Sequence, residues 1–578
     1  MKRAPILQLV LLSCMGSLAL AQGNENASPP VFVERIDVNI VNVEVFVTDS
    51  QGRHVFGLTK DDFEITEDGR PVEITNFFTV EREDRLTRIL EGENGTGRRA
   101  GGRTSAVRKP VPVDQQLSLI VYIDNFSLKP GNRKRVLKEL RGFLDERAFQ
   151  GDNVMIVTHN RKLEVVLPFT REREPILRAL DKIGKYATSG NIDEFLRRAA
   201  IEEMIGAQQE DDPGRAEIAM KSYADSARDD VRRAARALQL TLRSLAGLPG
   251  RKAILHVSDG LQNTPGEELY TFYRDLFGRD AGINFDRYAD SEVELFKTLA
   301  REANAQRVTI YTLDARGGLG SGGLTADYSG LGFAVNASMS TLDTIRDFNL
   351  EAPLVEMAER TGGAALLNSF NVKEALARVG RDFEMFYSLG YASPGGGDGE
   401  YHNIKVTTKH KGLKARNRSG YVDKPVVEQV ADRTLASLLL DTRQNPLDVR
   451  LAFGEPEKSG RNTYILPVII RIPLRGVLLL PNDATREGRL QIFLALQDEG
   501  GRMSEIQRFP LPVSLPLQAT GDLTDPEIGY RTNLKVKRGT PKIAVGVWDE
   551  ISGTESFVFE HVLVGQERRP GRRPRSGS

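Results

Sequence analysis

Apolar runs alternate with amphipathic helical segments between residues 117 and 384, and this alternation constrains the fold more strongly than any other feature. Leu117 to Ile123 is a nearly continuous apolar run that ends at Asp124, a pattern typical of a strand buried on both faces of a parallel sheet. Further strands are predicted at residues 154–158, 163–167, 253–257, 308–313 and 364–367. Helical stripes lie between them, so the sequence predicts an α/β fold with a doubly wound, mostly parallel sheet.

The predicted helices differ in length, and two insertions separate some of them from the strands. The longest helical stripe covers roughly residues 215–246 and stops at a Gly-Leu-Pro-Gly breaker. Shorter helices are predicted at residues 354–360 and 372–383. Residues 185–215 and 260–290 are expected to contribute loops at the carboxyl ends of the strands, where a rigid sheet usually presents binding residues.

Both flanks of the α/β region show strand patterns, and these patterns divide the chain into segments. Asp68-Gly69, between two short apolar runs, is a strong turn signal in the first flank. A short helix is predicted near residues 426–440, ahead of the strands of the second flank. The predicted segments are a signal peptide (1–21), an N-terminal β module (31–83), a flexible linker (84–115), a domain of the doubly wound type (116–385), a β extension of it (386–424), a C-terminal β-sandwich (425–565) and a disordered Arg-rich tail (566–578).

The first residues have the parts of an export signal. Lys2 and Arg3 form a basic start, an apolar run follows, and Ala19-Leu20-Ala21 fits the small-x-small cleavage pattern. Cleavage after Ala21 is therefore predicted, and the protein is expected to be secreted or periplasmic. A lipid anchor is the alternative, because Cys14 follows a loose lipobox. No later segment is apolar for long enough to span a membrane, so no transmembrane span is predicted in the mature chain.

Composition narrows the classes of function. Cys14 is the only cysteine, so cleavage leaves a mature chain without disulfides, thiolate nucleophiles or cysteine metal ligands. Lys plus Arg and Asp plus Glu both number 79, and a chain without net charge is not expected to attract nucleic acid. The arginines between Arg568 and Arg575 indicate a solvated end, with contact to an anionic surface as the alternative.

Several short motifs, in the same order along the chain, match one family. They are Leu58 to Gly69, Ile123-Asp124-Asn125, Leu248-Pro249-Gly250-Arg251-Lys252, Ser258-Asp259-Gly260, Thr361-Gly362-Gly363 and Leu389-Gly390-Tyr391. With them, roughly residues 33–423 resemble the von Willebrand factor A-related (Acidobacterial-type) domain proteins. The resemblance implies a secreted or periplasmic protein with an A-type α/β domain, and it implies no defined reaction.

The resemblance also implies a divalent cation at the carboxyl ends of the strands. The ligands of such a site follow the pattern Asp-x-Ser-x-Ser, a loop Thr and a later Asp, because a hard cation prefers oxygen ligands. Asp124 matches the first Asp, Thr188 is the candidate for the loop Thr, and Asp259 matches the later Asp.

The two serine positions depart from that pattern. Phe126 and Leu128 stand there, and Ser127 is offset by one residue, so its hydroxyl is expected to point elsewhere. The sequence thus indicates a degenerate metal-ion-dependent adhesion site, and no cofactor is predicted. The aspartates are expected to cap the strand ends through backbone N–H groups, with binding of Mg²⁺ or Ca²⁺ as the alternative. The candidate metal ligands are Asp124, Ser127, Thr188 and Asp259.

No catalytic residue is assigned from the sequence. Residues 318–323 match the pattern Gly-x-Gly-x-x-Gly, but no helical stripe follows them, so a surface loop is favoured over a nucleotide site. No His-Glu-x-x-His or Gly-x-Ser-x-Gly motif occurs. His256 lies inside an apolar strand and is expected to be a core residue. His159, just past a strand end, is the better catalytic candidate, but the sequence names no partner for it.

Two main hypotheses of function follow. The first is a non-enzymatic binding or scaffolding protein outside the cytoplasm, which contacts a protein partner through the loops of its A-like domain. The second is a secreted hydrolase or metal-dependent enzyme that uses Asp124, Asp259 and Asp314 at neighbouring strand ends, because clustered carboxylates can perform acid–base chemistry or hold a catalytic metal. A purely structural envelope component is a third interpretation.

Overall fold

The structure is a computed structural model of the full chain. It describes residues 40–81, 116–149, 152–278, 291–317, 333–368, 371–440, 443–482, 484–499, 503–516 and 526–565. The predicted signal peptide, the linker, the glycine motif at residues 318–323 and the Arg-rich tail lie outside these residues.

The first described segment contains short strands. They are β1 (Ile40–Thr48), β2 (Phe63–Glu67), β3 (Arg70–Val72) and β4 (Asn76–Glu81). The predicted turn at Asp68-Gly69 joins β2 to β3. Both turn residues have positive φ, 48° and 78°, and this is why Asp-Gly suits a two-residue hairpin.

One six-stranded sheet occupies the middle of the chain and confirms the predicted α/β class. Its strands are β5 (Leu117–Ile123), β6 (Asn153–Asn160), β7 (Lys162–Thr170), β8 (Arg251–Ser258), β9 (Val308–Asp314) and β10 (Ala365–Leu366). The spatial order is β10-β9-β8-β5-β6-β7, with only the edge strand β7 antiparallel to its neighbour. The winding direction reverses between β5 and β8, and ligands of doubly wound sheets bind in the crevice at such a point.

Helices cover both faces of this sheet. They are α1 (Pro130–Phe149), α2 (Arg173–Gly184), α3 (Gly190–Gln209), α4 (Pro213–Ser244), α5 (Glu267–Phe277), α6 (Val293–Ala305), α7 (Phe333–Arg360) and α8 (Val372–Glu384). Leu119 and Val121 of β5 share an apolar cluster with α1, α2 and α8. Ile120 and Tyr122 share another with α4, α6 and α7. Because alternate side chains of β5 are buried on opposite faces of the sheet, nearly every residue of this strand is apolar.

In the parts that the structure describes, residues 185–215 and 260–278, the segments expected to contribute loops are largely helical instead. Residues 279–290 lie outside the described residues. Residues 190–209 form α3 and residues 267–277 form α5, and both pack against the start of α4 in a third apolar cluster. Ile201, Met204 and Ala207 of α3 are fully buried in that cluster. Their spacing is helical, so the periodicity was present in the sequence.

The two β flanks of the α/β region pair with each other. The second flank contains β11 (Met385–Ala392), β12 (Tyr401–Thr408), β13 (Lys414–Arg416) and β14 (Gly420–Val422). The strand β1 pairs with β11, and β2 pairs with β12, so the sheets β13-β1-β11-β4 and β14-β12-β2-β3 each draw on both flanks. The N-terminal β module (31–83) and the β extension (386–424) were predicted as separate segments, but their described strands share one apolar cluster.

The last part of the chain is β-rich, as expected. A helix, α9 (Val426–Leu440), precedes its strands. The strands are β15 (Arg450–Phe453), β16 (Glu457–Lys458), β17 (Thr463–Pro473), β18 (Leu480–Asn482), β19 (Thr485–Gln497), β20 (Gln507–Pro516), β21 (Glu527–Lys537), β22 (Lys542–Asp549) and β23 (Glu555–His561). They form two antiparallel sheets around one apolar cluster. No helix in the described part of the chain combines the length and hydropathy of a membrane span.

Candidate functional site

A cavity of about 610 Å³ lies at the carboxyl edge of the parallel sheet, where β5 and β8 end. The loops after these strands contribute Asp124, Ser127 and Asp259 to its lining. Helix α3 contributes Ile192 and Leu196, and further walls come from α4 and α7. The crevice indicated by the strand order is thus present, and helices α3, α4 and α7 complete its walls beside these loops.

A tight turn after β5 brings Ser127 into this site. The N–H of Leu128 donates to the carbonyl of Asp124 at 3.1 Å, which closes the turn. Ser127 Oγ lies 2.8 Å from Ser258 Oγ and accepts a hydrogen bond from Asp259 N at 3.3 Å. The hydroxyl was expected to point elsewhere, but that expectation assumed the backbone of the family pattern, and this turn rotates it toward the end of β8.

Asp124 is buried and fully engaged. Its Oδ1 lies 3.3 Å from His159 Nδ1, and its Oδ2 accepts a hydrogen bond from Ser258 Oγ at 3.2 Å. Burial alone would raise the pKa of Asp124, but the hydrogen bond and the electrostatic attraction of His159 hold it below its ordinary value. No partner for His159 could be named from the sequence, and in the structure Asp124 is that partner. Burial lowers the pKa of His256, the expected core histidine, to about 4.

Asp259 has a different environment. Its Oδ2 accepts hydrogen bonds from Lys129 N at 2.8 Å and from Asn132 Nδ2 at 3.0 Å. Its buried Oδ1 has no hydrogen-bond partner among the described residues. Burial raises the pKa of Asp259 to about 6, and the negative charge of Asp314 adds to that rise. Asp259, at the end of a strand, thus accepts a hydrogen bond from a backbone N–H, as the capping interpretation of the sequence expects.

Asp314, the third strand-end carboxylate, forms an ion pair with a neighbouring arginine. Arg316 donates to it through Nε at 3.1 Å and through Nη2 at 2.8 Å. Arg316 also lines the cavity and reaches Glu351 on α7 at 3.3 Å. The three carboxylates proposed for a hydrolase therefore have three different sets of partners.

The structure brings together three of the four candidate metal ligands. Thr188 is not among the residues that line the cavity, whereas its neighbour Ser189 is. Both oxygens of Asp124 are engaged, and the hydroxyls of Ser127 and Ser258 contact each other. Mg²⁺ takes six oxygen ligands, several of which are usually water, and proteins commonly supply one or two carboxylates to it. Among the described carboxylates of this set, Asp259 offers one oxygen, Oδ1, that has no hydrogen-bond partner.

We expect Mg²⁺ to bind no better to the wild-type protein than to Asp259→Ala. The reason is that both oxygens of Asp124 and the hydroxyls of Ser127 and Ser258 already take part in hydrogen bonds within the protein. Isothermal titration of Mg²⁺ into both proteins should give equal, negligible heats. A saturable heat in the wild type that the variant lacks would instead support the alternative of a cation site.

Buried charges hold the helices that enclose the cavity. Glu268 on α5 accepts hydrogen bonds on Oε1 from Arg197 Nε of α3 at 3.1 Å and from Arg346 Nη1 of α7 at 2.9 Å. Arg197 also donates to Asp343 at 3.2 Å, and Arg346 to Tyr223 of α4 at 2.8 Å. This network was not predicted from the sequence, although Arg197 shares a helical face with the buried Ile201 and Met204 of α3.

Gly190 allows α3 to start against the Asp124 turn. A Cβ at this position would lie 2.2 Å from the carbonyl oxygen of Ser127 and 2.6 Å from the carbonyl carbon of Leu128. We expect Gly190→Ala to destabilise the protein by about 1–3 kcal/mol, because backbone atoms must move to make room. Urea unfolding followed by circular dichroism measures this change.

Gly206→Ala, in the same helix, is the control for that substitution. Its Cβ would meet nothing nearer than Arg215 Nη2 at 3.9 Å, so the higher helix propensity of alanine is expected to leave stability unchanged or improved by up to about 1 kcal/mol. Equal effects of the two substitutions would contradict the packing argument.

Comparison with known proteins gives only distant similarities. No family model matches the chain, and no curated protein sequence matches it. Among solved structures, BatB from Bacteroides thetaiotaomicron has a TM-score of 0.18 and 12% identity, over 34% of this chain and 65% of that one. An aerotolerance-related membrane protein from Bacteroides fragilis has a TM-score of 0.21 and 11% identity, over 46% and 98%. The manganese-loaded TRAP protein of Plasmodium vivax has a TM-score of 0.21 and 9% identity, over 54% of this chain and 96% of that one. TM-scores this low carry no argument about function.

Proposed function

We propose that the α/β region is a von Willebrand factor A-like binding domain, and that the chain is a non-enzymatic protein outside the cytoplasm that holds a protein partner. The order of the parallel strands and the antiparallel edge strand β7 support this assignment. The sequence motifs of the first 423 residues and the predicted export signal support the location and the family.

The cavity at the switch between β5 and β8 carries the proposal. Its lining combines charged groups with apolar side chains that remain accessible, among them Ile192, 46% exposed, and Leu196, 37% exposed. Apolar surface beside a few fixed polar groups is typical of binding sites. Because both oxygens of Asp124 are hydrogen-bonded within the protein, we propose that the contact is made by side chains without a bridging cation.

The experiment is site-specific crosslinking. A photoreactive amino acid replaces Ile192, and the protein is exposed to an envelope extract of the producing organism. We expect one discrete crosslinked partner, and we expect a second substitution, Leu196→Glu, to reduce its yield at least about tenfold because it places a charge on the apolar wall.

Val165→Glu is the matched control for Leu196→Glu. Val165 is 52% exposed on the edge strand β7, and it does not line the cavity. The control should keep the full yield, and circular dichroism should show both variants folded. A yield that Leu196→Glu leaves unchanged would refute binding at this cavity.

A hydrolase remains the second candidate, and one observation favours it. Asp259 lines a cavity and burial raises its pKa to about 6, and such carboxyl groups are frequent at catalytic sites. Asp124 and Asp314 are held by His159 and Arg316, so acid–base chemistry would depend on Asp259 alone. Turnover of a chromogenic ester or glycoside that Asp259→Asn abolishes would favour this candidate over the binding protein.

A further inference from the structure

A second cluster of polar groups lies away from the cavity, where β2 meets β12. The two strands are antiparallel neighbours, and Asp68 follows the last residue of β2. Its Oδ1 accepts a hydrogen bond from Asn403 N at 2.9 Å, which fixes the side chain. His402 Nδ1 then lies 2.8 Å from Asp68 Oδ2. The cluster joins residues 334 positions apart in the chain.

Glu67 presents a carboxylate oxygen without a hydrogen bond to this cluster. Its side chain is only 4% exposed. The hydroxyls of Tyr391 and Tyr421 donate to Oε2 at 2.5 and 3.0 Å. Oε1 accepts no hydrogen bond from the described residues and lies 3.8 Å from His402 Nδ1. Oε1 thus faces His402 with no protein hydrogen-bond donor shown on it, and it is available to coordinate a ligand.

The other ring nitrogen of His402 is oriented by a carboxylate. Nε2 lies 3.1 Å from Asp398 Oδ2, in the glycine-rich loop before β12. A Cβ at Gly395 would lie 3.2 Å from Nε2 and 3.0 Å from Asp398 Oδ2, so the backbone approaches the pair closely. Histidines that bind a metal with one nitrogen commonly donate the other N–H to a carboxylate, which fixes the tautomer and the ring.

We propose that Glu67, Asp68 and His402 bind a divalent transition metal of the Zn²⁺ class. The ligand atoms are Glu67 Oε1, Asp68 Oδ2 and His402 Nδ1, and one donor atom from each residue lies within 4.8 Å of the others. One imidazole and two carboxylates suit Zn²⁺, which takes nitrogen and oxygen ligands in a four-coordinate site. Asp398 positions His402 and is not a ligand.

The metal would clamp the two β flanks of the α/β region to each other. Glu67 and Asp68 come from the first flank, and His402 comes from the second. A ligand that binds only the folded state raises its stability. Zn²⁺ is therefore expected to raise the melting temperature, and this effect does not depend on the cavity or on the proposed partner.

The test is titration of Zn²⁺ into the full chain without a histidine tag, by calorimetry and by thermal unfolding. We expect one Zn²⁺ per chain and a higher melting temperature. Glu67→Gln keeps one oxygen that can accept from both tyrosine hydroxyls, and it places an NH₂ group where Oε1 stands in the wild type. It should bind Zn²⁺ at least about tenfold more weakly and lose most of the rise in melting temperature.

His410→Ala is the matched control. His410 also lies beside a carboxylate, with Nε2 2.7 Å from Asp62 Oδ1, but it is exposed and lacks the second carboxylate. This variant should bind Zn²⁺ as the wild type does. His402→Gln, which keeps a donor toward Asp68, should bind as weakly as Glu67→Gln. The proposal fails if the wild type gives no saturable Zn²⁺ heat, or if both variants of the cluster bind as tightly as the wild type.

Discussion

Replacing Glu268 by alanine is expected to lower the free energy of unfolding of the α/β region by about 3–5 kcal/mol. Glu268 and Arg197 are almost completely buried, with side chains 0% and 1% exposed. Arg197 and Arg346 both donate to Glu268 Oε1. Removal of the carboxylate leaves two buried arginines close together, with Asp343 still paired to Arg197 and Asp193 still paired to Arg346. Loss of one partner from a buried ion-pair network is strongly destabilising, because the remaining charges are less well compensated in a site with little water.

Urea unfolding at neutral pH measures this loss. The ellipticity at 222 nm reports mainly α1 to α8, whereas the single tryptophan, Trp548, lies on β22 and reports the C-terminal sheets. We expect the helical transition of Glu268→Ala to move to lower urea, and the change at Trp548 to be smaller.

Lys182→Ala is the control for an ion pair of the same kind at the surface. Lys182 Nζ lies 3.0 Å from Glu164 Oε1, and both side chains are exposed. Its loss should cost no more than about 1 kcal/mol. If Glu268→Ala costs as little as Lys182→Ala, the network does not hold the helices as described.

The same substitution bears on the proposed function. Glu268 links α5 to α3 and α7, and the last two helices form walls of the cavity. We therefore expect Glu268→Ala to weaken crosslinking at Ile192 even at temperatures where the protein stays folded.

The parallel sheet was predictable because each of its strands can be recognised from its own residues. Residues buried on both faces must all be apolar, and Leu117 to Ile123 shows this in the sequence itself. The pairing of β1 with β11 was not predictable in the same way. It joins Ile40 to Ala392, and alternating strands specify a buried face but not the partner strand.

Helix α7 shows why a local rule was wrong. The sequence predicted a helix at residues 354–360. Pro353, directly before it, lacks an N–H, and a proline normally interrupts a helix. In the structure the helix runs through Pro353. The carbonyl of Asn349, four residues earlier, accepts instead from the backbone N–H of Asn263 at 3.0 Å. The loop after β8 thus supplies the missing donor, a tertiary contact that the sequence does not reveal.

The candidate site was predictable only in part, because the sequence shows where a strand ends but not which residues lie beside that end. Asp124 and Asp259 follow apolar runs directly, so their place at the carboxyl edge follows from the fold. The pairing of His159 with Asp124 depends on the register of β5 with β6, in which Ile123 lies beside Thr158. Neither the apolar pattern nor the motifs specify that register.

The second large effect concerns Asp259 and pH. Burial raises the pKa of this carboxyl from 3.8 to about 6 in the folded protein. A group whose pKa is raised by folding contributes stability that is fully present below its unfolded pKa and is lost as the pH rises through its folded pKa. For Asp259 the loss falls between about pH 4 and pH 6, and the shift of about two pKa units corresponds to about 3 kcal/mol.

Asp259→Asn is uncharged at every pH and removes this dependence. The amide retains an oxygen that accepts from Lys129 N, and any cost of placing its NH₂ group at the position of Oδ1 is the same at all pH values. The stability of the variant relative to the wild type should therefore improve by about 2–3 kcal/mol from pH 4 to pH 7. Urea unfolding of both proteins at 222 nm over this range measures the difference, in which the other titrating groups cancel. A difference that does not change with pH would mean that Asp259 ionises normally, and it would also remove the observation that favours a hydrolase.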